Sequence, residues 1–202
     1  MPGEGWQVNP GILHAPGSLV TYEPQVNSDV FAMYQSEVEG RIVDWGLLTK
    51  DVPPEHNKDL DYLIDWDANV NPEFAKSNKT FPRAVRNEDE MRQDGYREVW
   101  ITYGTPYYSA KELTIAPNRS VTIKDAEAYG VIVTQGVGAL GARGVSTPSM
   151  IRFGQMTEDE VFVTATADRE GVVIENRSST DPLVLLKHFG PGNPDAAELL
   201  KN

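Results

Sequence analysis

Cysteine is absent from the 202 residues. That excludes a disulfide framework, a thiol nucleophile and a thiolate metal site. No apolar run approaches the roughly 18 residues that a membrane helix needs, and no N-terminal apolar stretch resembles a signal peptide. The sequons at Asn78, Asn118 and Asn176 therefore carry little weight, and the chain is expected in the cytoplasm without membrane contact. Clusters of Lys and Arg are missing too. Against 30 acidic residues stand 18 basic ones, a formal net charge of −12. A nucleic-acid surface needs grouped cations to displace counterions from phosphates, so no nucleic-acid partner is expected.

What is present fits a globular protein. The chain is 40% hydrophobic and 24% charged, and long enough to bury a core in one or two domains. Gly3 to Gln35 is rich in Gly and Pro, with strand signals at Leu19–Glu23 and Val30–Tyr34. From Ile42 to about Asp94 charges are dense, prolines recur, and helical spacing appears at Leu60, Leu63 and Ile64 and again over Val85–Asp94. Strand patterning returns from Arg97. Candidates are Val99–Tyr103, Glu112–Ile115, Ser120–Ile123, Gly130–Thr134, Val161–Thr164, Val172–Glu175 and Leu183–Phe189. Short strands between Gly, Asn and Ser turns predict an antiparallel barrel or sandwich. Asn193-Pro194 followed by Asp195 predicts a capped terminal helix.

Two motifs lack their context. Gly136-Val-Gly138-Ala-Leu-Gly141 matches a dinucleotide fingerprint, but Gly144 and Pro148 deny it the helix whose amides would hold a pyrophosphate. It is expected to be a glycine-rich barrel turn. Asp65-Trp-Asp67-Ala-Asn69 starts like a calcium loop, yet Val70 and Lys76 stand where Gly and Glu are needed. A capped helix is expected there.

Gly3-Glu-Gly-Trp-Gln-Val-Asn-Pro-Gly11-Ile-Leu-His14 is similar to the second cupin motif, with Gly3, Gly11 and His14 in register and Asn9 and Ser18 departing from it. His14-Ala-Pro-Gly-Ser-Leu-Val-Thr-Tyr-Glu23-Pro-Gln25-Val-Asn-Ser28-Asp29 resembles, without a gap, the pattern of type I mannose-6-phosphate isomerases. The resemblance implies that His14 is a metal ligand and Glu23 a catalytic acid/base or substrate contact. The implied cofactor is Zn or another divalent transition metal, and the implied partner a sugar or sugar phosphate. The family's arginine falls on Met33, and its other ligands lie on strands with no counterpart in this sequence. A catalytic zinc usually takes three protein ligands, so the chain is expected to be inactive or incomplete by itself.

Residues 96–190 resemble a second cupin barrel whose ligands are lost. Tyr129 replaces the glutamate of the first motif, Thr122-Ile-Lys-Asp125 its histidine pair, and Ala167-Asp168-Arg169-Glu170 the later histidine's surroundings. Asp125 and Glu127 are expected to be exposed turn carboxylates, His188 structural and His56 solvated. The fold expected is all-β. It is a cupin (RmlC-like) jelly roll at 96–192, with a partial first barrel at 1–40, a helical connector at 41–95 and a terminal helix at 193–202. An orphaned half-barrel would expose strand edges, so residues 6–35 are expected to pair with the second barrel or another copy, giving a homodimer. The alternative to an isomerase relative is a metal-free carbohydrate-binding or assembly module.

Overall fold

The computed structural model describes residues 3–15, 17–28 and 34–199. They form two compact units, one of residues 6–79 and one of residues 80–199 with the first few residues.

The second unit is built on β-strands. In chain order it contains β1 (Arg83–Ala84), α1 (Glu88–Asp94), β2 (Tyr96–Thr102), β3 (Ser109–Ile115), β4 (Ser120–Ile123), β5 (Tyr129–Leu140), β6 (Arg143–Thr147), β7 (Glu160–Val163), α2 (Ala165–Glu170), β8 (Val172–Asn176), β9 (Leu183–Phe189) and α3 (Pro194–Leu199). All strand pairs are antiparallel, and they make two sheets that share one strand. In the first, the order is β1-β2-β3-β9-β5-β7, using the opening half of β5. In the second it is β4-β8-β5-β6, using residues from Gly136 onward. This double-sheet order, closed through a strand that changes sheet, is a jelly roll.

The change of sheet explains the glycine-rich motif. Gly136 adopts φ +95°, and a methyl added there would lie 2.5 Å from the carbonyl oxygen of Pro182. Gly138 sits against the carbonyl of Glu175, where a methyl would overlap it. The glycines let β5 turn a corner beneath neighbouring backbone. No helix follows them, in line with the expectation of a barrel turn.

Alternation places the core. Leu113 and Ile115 on β3, Val131 and Val133 on β5, Ile174 on β8 and Leu183 and Leu185 on β9 share one buried cluster drawn from both sheets. Each such side chain contributes about 1.5–3 kcal/mol by leaving water. Helix α1 is held at its start by Asn87, whose side chain accepts from the Asp89 and Glu90 amides, and it ends at Gly95 in the left-handed region. Met91 is its core contact. Asn193 caps α3 through the Asp195 and Ala196 amides, as its sequence predicts. Strand β6 and helix α2 have no clear sequence signal. Gly144 and Ser146 dilute the pattern of one, and a six-residue helix is too short to show a period.

The unit of residues 6–79 is made of short pieces. Glu37–Val38 and Arg41–Ile42 pair across Glu39 and Gly40, both at positive φ. One-turn helices follow at Trp45–Leu48, Trp66–Val70 and Pro72–Ser77, with 3-10 turns at Pro54–His56 and Leu60–Leu63. Asp65 caps the Ala68 amide, so the calcium-like segment is a helix start. The strand expected at Leu19–Glu23 is not formed. Leu19 and Val20 are exposed, so their alternation has no face to bury. Most of the strand expected at Val30–Tyr34 lies outside the described residues.

Gly138→Ala is expected to destabilise the barrel by at least about 2 kcal/mol, because backbone rather than a flexible side chain must yield. Chemical denaturation followed by circular dichroism checks this. An unchanged midpoint would contradict the packing described.

Candidate functional site: a buried ion network

The residues singled out by the family resemblance have local contacts. His14 is exposed, and its Nδ1 lies 2.9 Å from the Ile12 carbonyl oxygen. Glu23 is exposed and accepts from the Thr21 hydroxyl at 2.8 Å. Asp29 and Met33 lie outside the described residues. Among the described residues no group of three or more His, Asp or Glu side chains is placed to hold a metal ion.

The chemically charged interior lies instead at one end of the barrel. Lys111 and Lys187 occupy inward positions of β3 and β9, in phase with Leu113, Ile115, Leu183 and Leu185. They face each other directly across the ladder. Like charges so placed repel, and a lysine is almost never fully buried without a partner. Asp125 resolves both problems. Its Oδ1 accepts from Lys111 Nζ at 2.7 Å and its Oδ2 from Lys187 Nζ at 2.6 Å. Glu98 on β2 gives Lys187 a second carboxylate.

The expectation that Asp125 is an exposed turn carboxylate is therefore corrected. The loop between β4 and β5 folds over the barrel end, and Asp125 is wholly buried. It is pinned there by three further contacts: its amide donates to Asp168 Oδ1 at 2.6 Å, its carbonyl accepts from Asn193 Nδ2 at 3.1 Å, and Ala126 follows at positive φ. Glu127 is half-buried, not exposed, beside Gly192. Burial raises its pKa, while the Gly192 amide opposes the shift.

Aromatic rings complete the surroundings. Lys111 Nζ lies 4.4 Å from the Trp100 ring centroid and 5.4 Å from that of Phe189, and Lys187 Nζ lies 5.4 Å from that of Tyr129. Such rings attract a desolvated cation through their negative faces. Burial pulls the Lys187 pKa down, but Glu98 and Asp125 more than reverse this and leave it raised. Burial also raises that of the Tyr129 phenol, as do the charges of Asp125, Asp168 and Glu98. Both lysine and phenol thus keep their protons at neutral pH.

The remaining histidines stay outside this network. His188 points outward from β9 over Gly130, where a methyl would overlap its ring. Burial lowers its pKa and Glu160 opposes the shift. His56 is not simply solvated: its ring stacks on Tyr62 at 3.7 Å between centroids.

The two lysines were missed in the sequence although a signal exists. In Lys111-x-Leu113-x-Ile115 and Leu183-x-Leu185-x-Lys187-x-Phe189 they fall on the apolar phase of a strand, which demands buried carboxylates elsewhere. Chemically, the network holds two fixed ammonium groups against the carboxylates. It does not fit a divalent metal, because Asp125 already gives one oxygen to each ammonium and a dication beside them would be repelled.

Removing one partner leaves a buried charge uncompensated. Lys187→Met is therefore expected to cost about 3–5 kcal/mol in denaturant unfolding. The pH dependence follows from the same shift. With its folded pKa raised above 10.5, Lys187 contributes stability in full below that value and loses it as pH rises through the folded pKa. Wild-type stability is expected to fall above about pH 10.5, and the part due to Lys187 is absent in Lys187→Met. Equal alkaline slopes in the two proteins would contradict the assignment.

No family model and no curated relative matches the chain. Among solved structures it is similar to a cupin 2 domain-containing protein from Halorhodospira halophila, at 18% identity over 60% of this chain and 89% of that one, with a TM-score of 0.38. A cupin 2 conserved barrel domain protein from Rhodopseudomonas palustris matches at 14% identity over 53% and 74%, with a TM-score of 0.34. The Rhodobacter sphaeroides structure of SigE in complex with the anti-sigma ChrR matches at 12% identity and a TM-score of 0.36, over 47% of this chain and 44% of that one. This chain thus spans less than half of that last chain. Likenesses this distant carry no function across. The fold rests on the strand order itself: residues 80–199 form a jelly roll of the cupin type, with charged pairs closing one end of its core.

Proposed function

We propose that the barrel is a metal-independent, non-catalytic cupin-fold module that serves assembly rather than turnover. One observation carries this reading: the ammonium groups of Lys111 and Lys187 stand between the interior carboxylates where a cation would otherwise be needed. Around them Tyr129, Leu113, Ile115, Leu183 and Leu185 fill the interior, each almost completely buried. A group that reacts must meet its substrate, and these side chains meet one another.

The isomerase relationship of His14 to Asp29 is supported by its gapless sequence match alone. His14 offers one imidazole, with Nδ1 turned to the Ile12 carbonyl, where a catalytic zinc takes about three protein ligands. No step through a metal is derived from it. A carbohydrate ligand has the same standing, since the packed core argues against a sugar inside the barrel.

Purified protein is expected to carry no stoichiometric transition metal by elemental analysis. A chelator is expected to leave the thermal midpoint unchanged, and His14→Ala to alter neither quantity. About one metal per chain, lost in His14→Ala, would overturn this function in favour of the isomerase relationship. A saturable sugar-binding isotherm without metal would turn it towards carbohydrate binding.

A further inference from the structure

The connection between β6 and β7 presents an unusual surface. Within residues 150–156, Met150 is 78% exposed, Ile151 69%, Phe153 109% and Met156 75%. Scattered apolar residues on a surface are ordinary, but four large ones in seven positions form a patch. Phe162 adds a fifth on β7, the strand the loop leads into, at 69% exposure.

The loop is held at its base. Arg143 Nη2 donates to the Thr157 carbonyl at 3.0 Å, and the Ser146 amide donates to the Glu158 carbonyl at 3.0 Å. The Ser146 hydroxyl donates to Glu158 Oε2 at 2.7 Å, and the Glu158 amide to Ser149 Oγ at 3.1 Å. At the tip the Gln155 amide closes a turn onto the Arg152 carbonyl at 2.9 Å. The polar atoms face the barrel and the apolar side chains face away. Little ordering entropy remains to be lost when the tip is covered.

Charge and area indicate what covers it. Arg152 is the one charged residue from 148 to 157, in a chain whose net charge is −12. A cationic, apolar loop complements an acidic surface, and every other copy of this chain supplies one. Four such side chains expose on the order of 600 Å², against roughly 800 Å² that each partner buries in a standard interface. In a two-fold dimer the same loop contributes once from each copy, which nearly closes that difference.

We infer that the 148–157 loop is the contact by which two copies of this chain form a homodimer, its apolar tip packing on the acidic surface of the other copy. The inference rests on the assembly reading and names its partner. It places the contact on the barrel's own loop, apart from residues 6–35.

Light scattering coupled to size exclusion, on the full chain over a concentration series, tests it. Wild type is expected to be a dimer at micromolar concentration. Phe153→Asp is expected to weaken dimerisation at least about 30-fold, a hot-spot loss of roughly 2 kcal/mol, and Met150→Asp/Phe153→Asp to be monomeric. Circular dichroism and the thermal midpoint of the isolated monomer should survive, since both side chains lie in solvent. A wild-type monomer at every concentration overturns the inference, and residues 6–79 of the same chain would then be the next occupant to test. A dimer of unchanged affinity in the double variant overturns it as well. So does a monomer that sediments with anionic lipid vesicles, which would make the loop a lipid contact. Metal content is read separately, so failure of the dimer and failure of the metal-independent function remain distinguishable.

Discussion

Asp125 is the residue on which the barrel's charged interior depends. Two lysines sit opposite each other on β3 and β9, and only a carboxylate between them makes that pairing tolerable. Taking one ammonium and one carboxylate out of water costs several kcal/mol apiece, so such a group persists only when its geometry is close to ideal. Here each carboxylate oxygen of Asp125 meets one ammonium, and the backbone of the same residue is fixed from both sides by Asp168 and Asn193. The network therefore ties together elements far apart in sequence. It joins β2, β3 and β9 with the β4–β5 loop, helix α2 and the residue that caps α3.

This arrangement gives the end of the barrel a different character from its middle. The middle is an aliphatic core in which size and shape are the constraint. The end is polar but closed, with rings of Trp100, Tyr129 and Phe189 around the charges. A closed polar cluster adds specificity of packing, since few alternative arrangements satisfy all its members. It also removes the open carboxylates that a metal would require. The cupin-type topology is kept while the interior serves structure, a division familiar in folds that host many unrelated roles.

Much of the barrel was legible in the sequence. Seven of its strands announce themselves by alternation between turn residues, and the caps of α1 and α3 lie in Asn87 and Asn193. Strand β6 was not legible, because its glycine and serines carry little β signal and its partner is the corner of β5. The first part of the chain shows the opposite case. Leu19–Glu23 alternates like a strand, yet alternation stabilises a strand only when another surface covers one face. The ion network was half visible. Lysines on the apolar phase of two strands could be read, but the carboxylates that meet them sit in a loop and on a third strand. Only the fold brings those together.

The most direct test of the account is a side-chain nitrogen NMR titration of the lysines. The structure predicts that the Lys187 nitrogen keeps the shift of an ammonium through neutral pH and beyond its ordinary value of 10.5, with protons that exchange slowly because the site is closed. A neutral amine at pH 7 would contradict the account. So would a shift that moves when divalent metal is added.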